Sequence, residues 1–149
     1  MALTGFNSTG AREQFAFEYE QKGSTTIYGG GLVVAAADGY AKAGLTATGL
    51  VVLGMATADS VNAGADGAKK VTVVGSQHAP DGKVRQFRLK NATAGDACTV
   101  AEMGRDVYIL DDCTMTKTAT GRSVGGKLRE IEKDTAGTAT GYVWIELPV

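Results

Sequence analysis

From Ile27 onward the chain alternates between short apolar or β-branched runs and clusters of Gly, Asp, Asn, Ser and Thr. That texture belongs to antiparallel β structure, in which half-buried strands are punctuated by tight turns. It predicts strands over Leu32–Ala37, Leu50–Ala58, Lys70–Val74, Arg85–Leu89, Val107–Leu110, Thr114–Thr118, Lys127–Glu132 and Tyr142–Leu147. Asp38-Gly39, Asp66-Gly67 and Asp81-Gly82 are turn signals, because glycine tolerates the positive φ of primed turns, and they are expected to join antiparallel strands. Only Thr99-Val100-Ala101-Glu102 argues for helix: it has capping-box spacing, and Gly104 supplies a stop after about one turn. Gly-Leu-Val-Val occurs at Gly31 and again at Gly49, but the flanks differ, so the echo marks two similar core strands and not a repeat.

The pattern before Ile27 is different. Residues 1–26 are polar and rich in Gly, Ser and Thr around one alternating patch, Phe15-Ala16-Phe17-Glu18-Tyr19-Glu20. Period-2 alternation sets Phe15, Phe17 and Tyr19 on one face and the two glutamates on the other. Such a strand either packs on its own domain or adds its aromatic face to a neighbouring protein, as a segment near a terminus can. The expected organisation is an extended N-terminal arm over residues 1–26. A mostly β domain over 27–149 follows, a single small barrel or sandwich with one short helical turn.

Length and composition support a folded domain. At 149 residues, 44% hydrophobic and 21% charged, the chain can bury roughly 70% of its unfolded surface without staples. A net charge of −1 from interspersed acids and bases leaves no field suited to phosphate backbones, so no nucleic-acid partner is expected. The longest apolar stretches, such as Leu32–Ala37, fall far short of the roughly 20 residues that cross a bilayer, so no membrane partner is expected either. Gly5, Asn7, Ser8 and Arg12 stand where a secretory signal would place an apolar core, which predicts an unexported chain with Cys98 and Cys113 as reduced thiols. The glycosylation patterns at Asn7 and Asn91 are then incidental.

Candidate chemistry is sparse. His78 is the sole histidine; it lies in the loop-like run Gly75–Gly82, with no Gly-x-Ser-x-Gly turn elsewhere to complete a triad. Two cysteines and one histidine do not make a zinc cluster, and the neighbouring carboxylates Asp111 and Asp112 are expected to end a strand and open a turn into Cys113. Gly29-Gly30-Gly31 and Gly125-Gly126-Lys127 lack the downstream residues of nucleotide loops and read as turns or close backbone approaches. No catalytic, cofactor or metal site is expected. In the last predicted strand Val143, Ile145 and Leu147 share the core face, which leaves Trp144, beside Tyr142 and Glu146, half-exposed or at an interface.

The order of segments Gly49–Ala56, Asn62–Val74, Gly104–Asp112, Arg122–Lys127 and Val143–Ile145 resembles the small head decoration, or capsid cement, proteins of tailed bacteriophages, over roughly Tyr28 to Val149. The resemblance implies a non-enzymatic virion protein, assembled in the host cytoplasm. It would sit on the outer surface of the capsid, commonly as a homotrimer, with the major capsid protein as partner. For such a role the alternating pattern and its place near the terminus make the segment Ala2–Tyr28 the expected capsid-facing element, with Phe15, Phe17 and Tyr19 as anchors; Tyr28 and Trp144 are further interface candidates, Trp144 at a subunit contact. A different class also fits a β-rich domain: a binding module for glycans or a cell surface, using Trp144 and Tyr142 as stacking platforms.

Overall fold

The computed structural model of the protein describes residues 14–77, 79 and 81–149. Its strands in chain order are β1 (Phe17–Glu20), β2 (Thr25–Ile27), β3 (Leu32–Ala35), β4 (Ala41–Ala43), β5 (Val51–Ala56), β6 (Ser60–Asn62), β7 (Lys70–Val74), β8 (Phe87–Asn91), β9 (Asp106–Ile109), β10 (Thr114–Thr116), β11 (Val124–Lys133) and β12 (Ala139–Glu146). They form a five-stranded sheet in the order β1-β7-β5-β3-β4, a closed barrel β10-β8-β12-β11-β9, and a ribbon of β2 with β6. The fold is mostly β, as the alternating pattern predicts.

Burial shows why these runs become strands. In β12, Val143, Ile145 and Leu147 just beyond it are buried, whereas Tyr142, Trp144 and Glu146 are half-buried, the period-2 signature of a strand with one face inside. With Leu89, Val107, Ile109, Met115 and Leu128 they fill the barrel core. That core continues into one face of the five-stranded sheet through Leu32, Val34, Val52 and Met55. A second cluster, Ile27, Val33, Ala41, Ala56, Val71 and Val73, packs with Phe17, Tyr19 and Leu53. The two bodies are also tied by hydrogen bonds: the Leu32 N–H donates to the Asp112 carbonyl at 2.7 Å, and the Leu50 N–H to Ser123 Oγ at 2.9 Å.

The segment before Ile27 enters this body at Phe17. β1 pairs antiparallel with β7, Phe17 opposite Val73 and Glu20 opposite Lys70, so the strand packs on its own domain. β2, which spans the expected boundary at residue 26, pairs antiparallel with β6. A buried polar knot fixes the turn between β1 and β2. Asn62 Nδ2 donates to the carbonyls of Gln21, Lys22 and Ala65, and Gln21 Nε2 donates to the carbonyls of Thr25 and Ser60. Gln21 and Asn62 are almost fully buried, which is tolerable because both amides are satisfied.

Two sequence expectations need correction. Asp38-Gly39 does join paired strands, β3 and β4, with Gly39 at φ +78°. Asp66-Gly67 and Asp81-Gly82 instead link strands that are not paired with each other, because β6 turns away to β2 and β8 belongs to the barrel. The capping box forms, but over a 3-10 turn: the Thr99 N–H donates to Glu102 Oε2 at 2.6 Å and Thr99 Oγ1 accepts from the Ala101 N–H.

Candidate functional site

Phe15, Phe17 and Tyr19 fall at the end of the five-stranded sheet. Phe15 is 48% exposed, whereas Phe17 and Tyr19 are half-buried against the second apolar cluster. Beside them lies a groove of about 300 Å³, lined by Phe17, Tyr19, Leu53, Gly75, Gln77, Pro148 and Val149. Among the described residues no charged side chain lines it. The far wall is held in place by backbone bonding. The Leu147 N–H donates to buried Ser76 Oγ at 2.7 Å, and the Val149 carbonyl accepts from the Ser76 and Gln77 N–H groups at 2.6 and 3.0 Å. The alternation of Phe17 and Tyr19 was readable in sequence; Leu53, Gly75 and Pro148 come from separate segments, and no local pattern joins them.

Tyr28 lies elsewhere, just past β2 on the ribbon, where it is 61% exposed. Thr26 pairs with Val61, itself 58% exposed, so the outer face of this ribbon presents an aliphatic and an aromatic side chain. The Asp59 carboxylate accepts from the Gly29 N–H at 2.8 Å and fixes the backbone beyond Tyr28.

Trp144 occupies a third place, the outer wall of the barrel, beside a closed polar network. Arg88 lies over the Tyr142 ring, its guanidinium carbon 3.6 Å from the centroid, and donates to both oxygens of Glu132. Arg88 first, then the Thr140 hydroxyl, holds the Glu132 carboxyl down to about 2, with a smaller contribution from Trp144. This arrangement covers one face of Tyr142 and ties the Trp144 side chain to Glu132 by a hydrogen bond.

Asp111, Asp112 and Cys113 bring three donor atoms within 4.8 Å of one another. They are consecutive residues of one turn, in which Asp111 Oδ1 accepts from the Cys113 N–H at 2.9 Å. Burial works to raise the Asp111 carboxyl, but the Cys113 N–H and the Thr114 hydroxyl outweigh it and hold it below its ordinary range. Burial also pushes the Cys113 thiol up, so the sulfur is a poor thiolate donor. The turn is the one the sequence predicts at the end of the strand from Val107. His78 lies outside the described residues. Both cysteines are free thiols.

Comparison of the chain with protein-family models, with curated proteins and with solved structures finds no match.

Proposed function

We propose that the protein is a head decoration protein of a tailed bacteriophage, which binds the outside of an assembled capsid and stabilises it by bridging neighbouring major capsid subunits. The observation that carries this reading is the aromatic edge of the five-stranded sheet, where exposed Phe15 leads into Phe17 and Tyr19 beside a groove also lined by Leu53 and Pro148. A partner would cover the part of these rings that is still exposed, for Phe15 about half of the roughly 150–250 Å² an aromatic side chain can bury, and such residues dominate interface energetics. The order of segments along the chain supports the same role.

Each subunit would add apolar interface that must be re-exposed if the shell separates. On a closed lattice, loss of one contact is reversible while its neighbours hold, so modest affinity at a single site suffices. A homotrimer would match threefold or quasi-threefold lattice positions by symmetry. The test is co-sedimentation of the purified protein with expanded, undecorated heads. Saturation at a fixed number of copies per capsid subunit is the expected result; no binding at micromolar concentration overturns the reading.

A further inference from the structure

The chain carries three Asp-Gly pairs, at Asp38, Asp66 and Asp81, and no Asn-Gly pair. Aspartate before glycine is unusually open to ring closure, because a residue without Cβ leaves its nitrogen unhindered and its backbone free to turn toward the preceding carboxyl. The glycine nitrogen attacks the aspartate Cγ, and a C–N bond forms as a carboxyl oxygen leaves as water with its own proton and the amide proton. Water then adds to the succinimide. Opening at the backbone carbonyl breaks the original C–N bond, so the chain continues through Cβ and Cγ as isoaspartate with its mass unchanged. Since the oxygen departs as water, the protonated carboxyl is the reactive form, and a carboxylate held in its charged form by hydrogen bonds reacts slowly.

The three pairs differ at the carboxyl, not at the nitrogen. Each glycine N–H is bonded: Gly39 to the Ala36 carbonyl at 2.9 Å, Gly67 to that of Gln21 at 3.0 Å and Gly82 to that of Ala79 at 3.0 Å. The Lys22 ammonium donates to Asp38 at 2.9 Å and to Asp66 at 3.0 Å, and the Tyr40 and Gly23 N–H groups add bonds of 3.2 and 2.8 Å. Lys22 foremost holds the Asp38 carboxyl below its ordinary range; the Gly23 N–H, then Lys22, does the same for Asp66. Asp81 accepts from the Lys83 N–H at 3.1 Å, but the Lys83 ammonium stands off at 3.7 Å. Its side chain is 58% exposed, against 42% for Asp38 and 40% for Asp66, and no strand forms from Asp81 to Gln86. We propose that Asp81-Gly82 is a site of spontaneous isoaspartate formation, and that Lys22, by gripping two carboxylates at once, spares Asp38-Gly39 and Asp66-Gly67. This chemistry is independent of capsid binding.

The full-length protein is held for weeks in mildly acidic buffer at physiological temperature, then mapped by a peptide fragmentation that separates isoaspartyl from aspartyl forms of equal mass. Isoaspartate at Asp81 in severalfold excess over Asp38 and Asp66 is the expected result. Equal or greater conversion at either of those, or none at Asp81, overturns the proposal. In Lys22→Met, with its circular dichroism unchanged, conversion at Asp38 and Asp66 should rise severalfold while Asp81 keeps its rate; no rise at either overturns the role of Lys22. In the chain unfolded by guanidinium the three pairs should convert alike. A preference for Asp81 that persists there would place its cause in the local sequence and overturn the proposal as well.

Discussion

Glu132 accepts two hydrogen bonds from Arg88, from Nε and from Nη2 at 2.7 Å each, and so links β11 to β8 across the intervening strand β12. A planar guanidinium bound through both nitrogens fixes orientation as well as charge, and the Tyr142 ring beneath it restricts the side chain further. The pair therefore behaves as a cross-brace on the barrel wall.

Acid should release this brace. The Glu132 carboxyl is lowered from an ordinary 4.5 to about 2 in the folded protein. Between those values the unfolded chain binds the proton and the folded one does not, so the contribution is present above the upper value and disappears as pH falls through the lower. Thermal melts of Glu132→Gln and the unaltered protein should differ at pH 7 and converge toward pH 2. Parallel curves across that window would exclude the linkage.

Phe15 and Phe17 should separate binding from stability. Phe15→Ala removes an exposed ring and is expected to leave stability within about 0.5 kcal/mol while weakening attachment to capsids. Phe17→Ala truncates a ring packed on the second core and should cost about 2 kcal/mol, less than a fully buried phenylalanine. Denaturant unfolding together with head co-sedimentation measures both; a collapse in stability with Phe15→Ala, its binding intact, would reverse the assignment.

Two adjacent glycines in β11 should respond unequally to alanine. A Cβ at Gly126 would stand 2.5 Å from the Glu146 carbonyl oxygen, part of the paired strand β12, whereas one at Gly125 would meet the Met115 sulfur at 2.6 Å. Backbone cannot move without loosening the barrel, but a thioether can change rotamer. Gly126→Ala should therefore cost about 3 kcal/mol and Gly125→Ala about 1 kcal/mol, read as shifts in denaturation midpoint.

The thiols should differ in reactivity. Burial pushes the Cys98 thiol up to about 11, and the nearby Glu102 carboxylate adds to the effect; Cys113 is raised too but is partly exposed. Since the thiolate is the nucleophile, alkylation of the native protein near pH 8 should label Cys113 slowly and Cys98 only after unfolding. Peptide mass mapping reads the order, and equal labelling would show that the β8–β9 connection opens readily.

Strands with strong period-2 or continuous apolar runs were legible in the sequence, and Tyr142–Leu147 was legible down to which residues face inward. The three-residue strands β2, β4 and β6 carry too few residues for any period to register. β11 starts earlier than its apolar run because Gly125 and Gly126 are strand residues pressed against Met115 and β12, an approach that only the tertiary pairing reveals. The candidate surface was half legible. Alternation exposed the Phe15, Phe17 and Tyr19 face, whereas the groove wall depends on the Leu147–Val149 segment binding Ser76 and Gln77, a contact between distant parts of the chain.

Strand β3 is buried throughout, with Leu32 and Val34 in the barrel-side core and Val33 in the other. Neither core can lose its packing while β3 stays in place for the other. The barrel and the sheet should therefore melt in a single cooperative transition, with calorimetric and van't Hoff enthalpies in agreement.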